Sequence, residues 1–126
     1  MTGAPVLAGR AALRSGAGRV TIGCHPDNQT STASHTPELM VVGLRTPRQL
    51  KDLLARSDAV VIGPGLGQDA WAREVYSTSR DYDVRKVLDA DALNLLAARP
   101  VEVRSAVLTP HPGEAGRLGK MDTSKV

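Results

Sequence analysis

Residues 58–68 read Asp-Ala-Val-Val-Ile-Gly-Pro-Gly-Leu-Gly-Gln, and the fold follows from how this stretch is read. A short apolar run stopped by glycines predicts a buried strand that ends in a tight loop without side chains. The residues that follow, Asp69-Ala-Trp-Ala-Arg-Glu-Val-Tyr76, begin a helix, so the unit is strand, glycine loop, helix. Glycine permits positive φ and close approach of a ligand to the backbone, and the helix start leaves amides pointing above the loop. Taken alone, the loop is equally well a tight turn that binds nothing.

The same alternation extends in both directions. Upstream, Pro5 to Ser15 predicts an Ala-rich helix offering Val6, Leu7, Ala11 and Leu13 for burial and closed by Gly16; strands follow near 19–24 and 39–43. Thr46-Pro47 supplies an N-cap and a first-turn proline for a helix carrying Leu50, Leu53 and Leu54. The polar stretch from His25 to Pro37, rich in Ser and Thr, reads as a surface loop. Downstream, strands are expected near 59–63, 86–89 and 106–109, the last running into a short helix that ends at Leu118. Strands alternating with helices predict an α/β fold, a mostly parallel sheet with helices on both faces.

Composition narrows the function classes. With 41% apolar residues the chain can bury a core, yet it has no Phe, and its aromatics are Trp71, Tyr76 and Tyr82. Packing must then rest on Val, Leu, Ile and Ala. The net charge of +3 is mild and the basic residues are scattered, so no nucleic-acid partner is inferred. The single Cys24 excludes an internal disulfide and a cysteine-based metal cluster, and fits a reducing compartment such as the cytoplasm. No run has the length of a membrane span. Arg10, Arg14 and Arg19 with no acid in residues 1–26 match a transit-peptide composition, but the helix pattern passing straight into a strand favours a structural element.

Three successive strands end in polar, turn-forming sequences: GPGLG at 63–67, DADALN at 89–94 and TPHPGE at 109–114. In a parallel sheet these gather on one edge and make a shared cleft. Each has a plainer reading. Asp89 and Asp91 also read as helix-capping acids, Glu114 as a first-turn acid and His111 as a surface residue between prolines. No nucleophile elbow and no G-x-x-x-x-G-K-[ST] loop is present.

The stretches GAPVLAGRAALRSGAGRVTIG (3–23), PELMV (37–41), DAVVIGPGLGQ (58–68), VLDADALNLLA (87–97) and VLTPHPGEAGRLG (107–119) together resemble the ADP- or ATP-dependent NAD(P)H-hydrate dehydratases. These are nicotinamide nucleotide repair enzymes of ribokinase-like fold. The resemblance implies dehydration of NAD(P)H hydrate back to NAD(P)H, with ADP or ATP and Mg²⁺, in a cytoplasmic enzyme that is a homo-oligomer at full length. By resemblance, Ala4, the backbone at Gly63, Gly65 and Gly67, and His111 touch the hydrated nucleotide. Asp89 and Asp91 shape the cleft, with Asn94 and Glu114 in support, and Asp89 is the candidate for a water-mediated Mg²⁺ contact.

Departures from the family pattern set further expectations. Family members begin with an earlier strand and glycine-rich turn, and continue past Lys120 into a nucleotide-binding loop and a GTGD-type segment whose aspartate is the catalytic base. Residues 1–126 are therefore expected to form a partial dehydratase domain with no catalytic residue of its own, the family aspartate lying beyond Val126. Such a chain should not turn over alone and should self-associate or be partly ordered from about Lys120; assay with hydrated NADH, Mg²⁺ and ADP or ATP tests this. The competing readings are a non-catalytic remnant or partner fragment and a ribokinase-like small-molecule kinase. Finally, a loop histidine adds little to a core, so His111→Ala is expected to weaken hydrate binding with the thermal midpoint nearly unchanged.

Overall fold

A computed structural model describes residues 2–120, and its elements follow one another as helix and strand throughout. They are α1 (Gly3–Arg14), β1 (Thr21–Cys24), a 3₁₀ turn (Pro26–Asn28), α2 (Gln29–Ala33), β2 (Met40–Gly43), α3 (Pro47–Ala55) and β3 (Ala59–Ile62). Then come α4 (Ala70–Asp81), β4 (Arg85–Leu88), α5 (Asp91–Ala98), β5 (Ala106–Leu108) and α6 (Pro112–Leu118). The parallel α/β reading holds for every strand pair. The partial order expected after Lys120 lies outside the described residues.

Local chemistry explains several boundaries. Thr46 caps α3 by accepting the Gln49 amide, and Gln49 Oε1 accepts the Thr46 amide in return, a reciprocal capping box. Asp69 caps α4 by accepting from Ala72 N at 2.8 Å. The segment from His25 is a correction to the loop reading, because it folds into the 3₁₀ turn and α2. Its Ser and Thr content disfavours helix, but burial of Thr32 decides the matter; Gln29 packs closely over Gly43. In α1, Val6 and Gly9 turn inward while Leu7 is 67% exposed.

The strands form two ladders rather than one continuous sheet: β1 with β2, and β3 with β4 and β5. Both faces of the first ladder are covered. On one face α1 packs Val6 with Ile22, Cys24 and Leu39, and α2 lies against Cys24 and Gly43; on the other, α3 brings Leu50 and Leu54 against Leu44 and Val42. That α3 cluster includes Val60 of β3 together with Trp71 and Val75 of α4. The second ladder buries Ile62 and Leu88 under Tyr76 of α4 and Leu93 and Leu96 of α5. Its opposite face carries the transverse row Val61, Val87 and Val107, of which Val61 is 54% and Val107 61% exposed, so β3, buried only at Ile62, is not the buried strand expected from its apolar run: its helices α4 and α5 cover one face alone.

One buried cation serves the frame. Lys86 is 4% exposed, and its Nζ donates to the carbonyls of Tyr82 at 3.0 Å and Arg104 at 3.1 Å, tying the turn before β4 to the segment before β5. Burial of an ammonium group requires such acceptors.

Candidate functional site

The carboxyl ends of β3, β4 and β5 lie side by side, because Ile62 pairs with Leu88 and Leu88 with Leu108. GPGLG, DADALN and TPHPGE leave the sheet there together, as the alternation of elements predicted. Their contacts are specific. Gly63 packs so closely on the next loop that a Cβ there would stand 1.7 Å from the Asp89 carbonyl oxygen, and its φ of +125° is one that only glycine adopts freely. Gly67 donates its amide to Asp91 Oδ2 at 2.7 Å. The first two loops are thus locked at both ends of the glycine run.

DADALN holds an unusual backbone. Ala90, between the two acids, has φ 46° and ψ −117° and precedes the first residue of α5. A conformation of this kind costs on the order of 1–3 kcal/mol for a residue with a side chain and persists only where its surroundings enforce it. Among the described residues, the amides of Gly65, Ala90 and Asp91 have no hydrogen-bond acceptor. They lie in the two loops that also carry the carboxylates of Asp89 and Asp91.

The third loop adds Thr109, a residue that sequence reasoning passed over. Its Oγ1 lies 3.0 Å from Asp89 Oδ1 and 3.3 Å from the Leu88 carbonyl, and its amide donates to that same carbonyl. The hydroxyl therefore donates to one acidic loop from the next strand. Its place at the head of TPHPGE was the available signal. Asn94 Oδ1 accepts from Arg117 Nε at 3.0 Å, so the second and third loops are also joined through their helices.

His111 is more than a loop residue. Its Nδ1 accepts the Gly113 amide at 3.0 Å, while its own amide donates to Glu114 Oε2 at 3.0 Å, closing a capping box at the start of α6. Glu114 is buried at 7%, and its Oε1 lies 3.3 Å from His111 Nε2. This corrects the expectation of an unchanged thermal midpoint: His111→Ala should cost about 1 kcal/mol through the lost cap. His111→Asn keeps a capping acceptor and should stay near wild-type stability, which thermal unfolding of the two variants will read. A second prediction concerns the latch. Asp91→Ala frees the Gly67 amide and removes a first-turn acid from α5, so a loss of about 1–2 kcal/mol is expected in chemical denaturation.

Ala4 belongs to the β1–β2 half of the molecule. α1 runs back along β1, with Val6 packed in the cluster of Cys24, so the first turn and Ala4 lie at the carboxyl ends of the strands, on the β1–β2 side. The expected site residues thus belong to both ladders: Ala4 to the first, and the three loops to the second. Among the described residues no cluster of three or more acidic, His or Cys side chains is placed to hold a metal. Asp89 and Asp91 suit a hydrated Mg²⁺ that arrives with phosphates, and not a protein-built cage. A surface pocket of about 300 Å³ lies away from these loops, lined by Lys51, Ser77, Thr78, Asp81 and Tyr82.

In parallel α/β domains, ligands commonly bind where loops meet at the carboxyl ends of the strands, as the glycine and acidic loops do here. The chain matches the NAD(P)H-hydrate dehydratase family over residues 1–125 and belongs to it. It is 46% identical over 118 residues to the bifunctional NAD(P)H-hydrate repair enzyme of Coxiella burnetii, covering 94% of this chain and 24% of that protein. It is 42% identical over 121 residues to the ADP-dependent (S)-NAD(P)H-hydrate dehydratase of Lactiplantibacillus plantarum, covering 92% and 44% respectively. The crystal structure of the ADP/ATP-dependent NAD(P)H-hydrate dehydratase from Bacillus subtilis, co-crystallised with ATP/Mg²⁺ and soaked with CoA, superposes with a TM-score of 0.73 at 31% identity. That superposition covers 99% of this chain and 46% of the other. The chain spans less than half the length of each of these relatives.

Proposed function

We propose that residues 1–126 form part of a dehydratase domain that binds the hydrated nicotinamide nucleotide and acts in nucleotide-dependent repair of NAD(P)H hydrate to NAD(P)H. The observation that carries the reading is the locked junction of GPGLG and DADALN, with Gly63 against the Asp89 carbonyl and Gly67 on Asp91, beside the capped TPHPGE loop. Family membership supports it, as do relatives named for ADP- and ATP-dependent dehydration.

In this reading the ADP or ATP phosphate, with Mg²⁺, turns a poorly leaving hydroxyl into a phosphorylated leaving group. The chain's own residues bind and orient. Gly63, Gly65 and Gly67 bring the backbone close to the nucleotide, His111 bounds the cleft beyond β5, and Ala4 bounds it beyond β1. Asp89 and Asp91 shape the floor, Asn94 and Glu114 hold the loops in place, and Asp89 is the residue that meets a hydrated Mg²⁺. The setting is proposed to be cytoplasmic, a reducing compartment in keeping with the single Cys24. At full length the enzyme is proposed to be a homo-oligomer.

The test is calorimetric titration of the chain with hydrated NADH and hydrated NADPH, each compared with ADP alone. Saturable hydrate binding that His111→Asn weakens while the thermal midpoint holds is the expected result. Binding of ADP with no affinity for either hydrate would favour the small-molecule kinase reading instead.

A further inference from the structure

We propose that Thr109 is a positioning residue of the candidate site: its hydroxyl holds the Asp89 carboxylate so that the second carboxylate oxygen is set to accept a hydrogen bond from an O–H group of the ligand. The inference rests on the function proposed above, in which Asp89 belongs to the cleft that takes the hydrated nicotinamide nucleotide.

The pairing follows from the register of the sheet. Val87 stands beside Val107, and Leu88 beside Leu108, in the β4–β5 ladder. One residue further along, Asp89 and Thr109 donate their amides to the carbonyls of Ile62 and Leu88, so the ladder pattern of bonds runs one position past the last paired residues. The two side chains therefore leave neighbouring strand ends at the same level, and Thr109 Oγ1 comes within 3.0 Å of Asp89 Oδ1. A threonine hydroxyl has a single proton to give. Two acceptors lie in its reach, the carboxylate and the Leu88 carbonyl at 3.3 Å, and that carbonyl already receives the Thr109 amide. The shorter bond, to the charged acceptor, takes the proton.

What surrounds Asp89 gives the bond its consequence. Ala90, the next residue, has φ 46° and ψ −117°, a conformation that persists only where neighbours enforce it. Both flanks of this turn are held: Asp91 Oδ2 accepts the Gly67 amide from the loop after β3, and Asp89 Oδ1 accepts the Thr109 hydroxyl from the loop after β5. Among the described residues no group donates to Asp89 Oδ2. A carboxylate only accepts, so this oxygen selects a donor. Two such donors come with the proposed ligand: a hydroxyl of the hydrated nucleotide, and a water of a hydrated Mg²⁺ that arrives with phosphates. Fixing the carboxylate beforehand removes an ordering cost from binding. Thr109 itself is exposed, so its hydroxyl adds little to the core.

The experiment is calorimetric titration of the chain and its variants with hydrated NADH, once with Mg²⁺ and once with EDTA. Thr109→Val keeps the side chain's shape and loses the hydroxyl; it should weaken binding about 5- to 10-fold. Thr109→Ser keeps the hydroxyl and should bind within about 2-fold of the parent. In an Asp89→Ala background, Thr109→Val should add less than about 2-fold, since a residue that acts through another has no effect once that other is gone. The circular dichroism and thermal midpoint of Thr109→Val should stay close to those of the parent. A purely structural role would instead lower the midpoint and leave the affinity of the folded chain untouched. A loss confined to the Mg²⁺ arm identifies a water of the hydrated ion as the donor, and a loss in both arms identifies a hydroxyl of the nucleotide. The proposal is overturned if Thr109→Val binds as tightly as the parent in both arms, if Thr109→Ser loses as much as Thr109→Val, or if the losses from Thr109→Val and Asp89→Ala simply add. A parent chain that binds no hydrate in either arm refutes the proposed function, and this inference with it.

Discussion

Gly63→Ala should lower stability by about 3 kcal/mol or more, combining a steric overlap with a backbone that resists any side chain. The added Cβ would fall 1.7 Å from the Asp89 carbonyl oxygen and 3.0 Å from Ala92 Cβ, and φ at this position is +125°. Neither obstacle is the movable end of a side chain. The Asp89 carbonyl accepts the Ala92 amide in the first turn of α5, so displacing it disturbs that helix start. β3 and β4 would have to separate at the end where their loops form the candidate cleft. Chemical denaturation measures the loss, and hydrate binding should fall with it. A Gly63→Ala variant that is as stable as the parent would mean that the two loops do not touch as described.

Leu88→Ala should cost about 2–5 kcal/mol, the range for truncating a fully enclosed Leu. Leu88 is 0% exposed and stands in the cluster of Ile62, Tyr76, Ala92, Leu93, Leu95 and Leu96. Its carbonyl also accepts the Thr109 amide, so strand, core and the third loop share this position. Denaturant titration with an unchanged slope and a lower midpoint is the expected signature. A loss below about 1 kcal/mol would show that the core collapses around the smaller residue.

How much of this was legible follows the range of the interactions. An apolar run ended by glycines carries its own periodicity and its own stop, so β3 and the glycine loop were readable from eleven residues, and the capping signals Thr46-Pro47 and Asp69 act within one helical turn. The gathering of the three polar loops followed from the parallel alternation alone. α2 was not readable, since its Ser and Thr residues favour a loop until Cys24 and Gly43 offer Thr32 and Gln29 somewhere to pack. Nor was the capping role of His111, which depends on the ring turning back on Gly113.

By itself, then, the sequence determined the α/β class, the strand positions to within a few residues and the family, because these rest on local periodicity, turn chemistry and contiguous motifs. The tertiary structure decided what no local pattern contains. It set the fit of Gly63 against Asp89, the strained turn at Ala90 and the hydroxyl of Thr109 on an acid 20 residues away. It also decided that the strands divide into two ladders, since pairing depends on which edges meet in space and not on what each strand is made of.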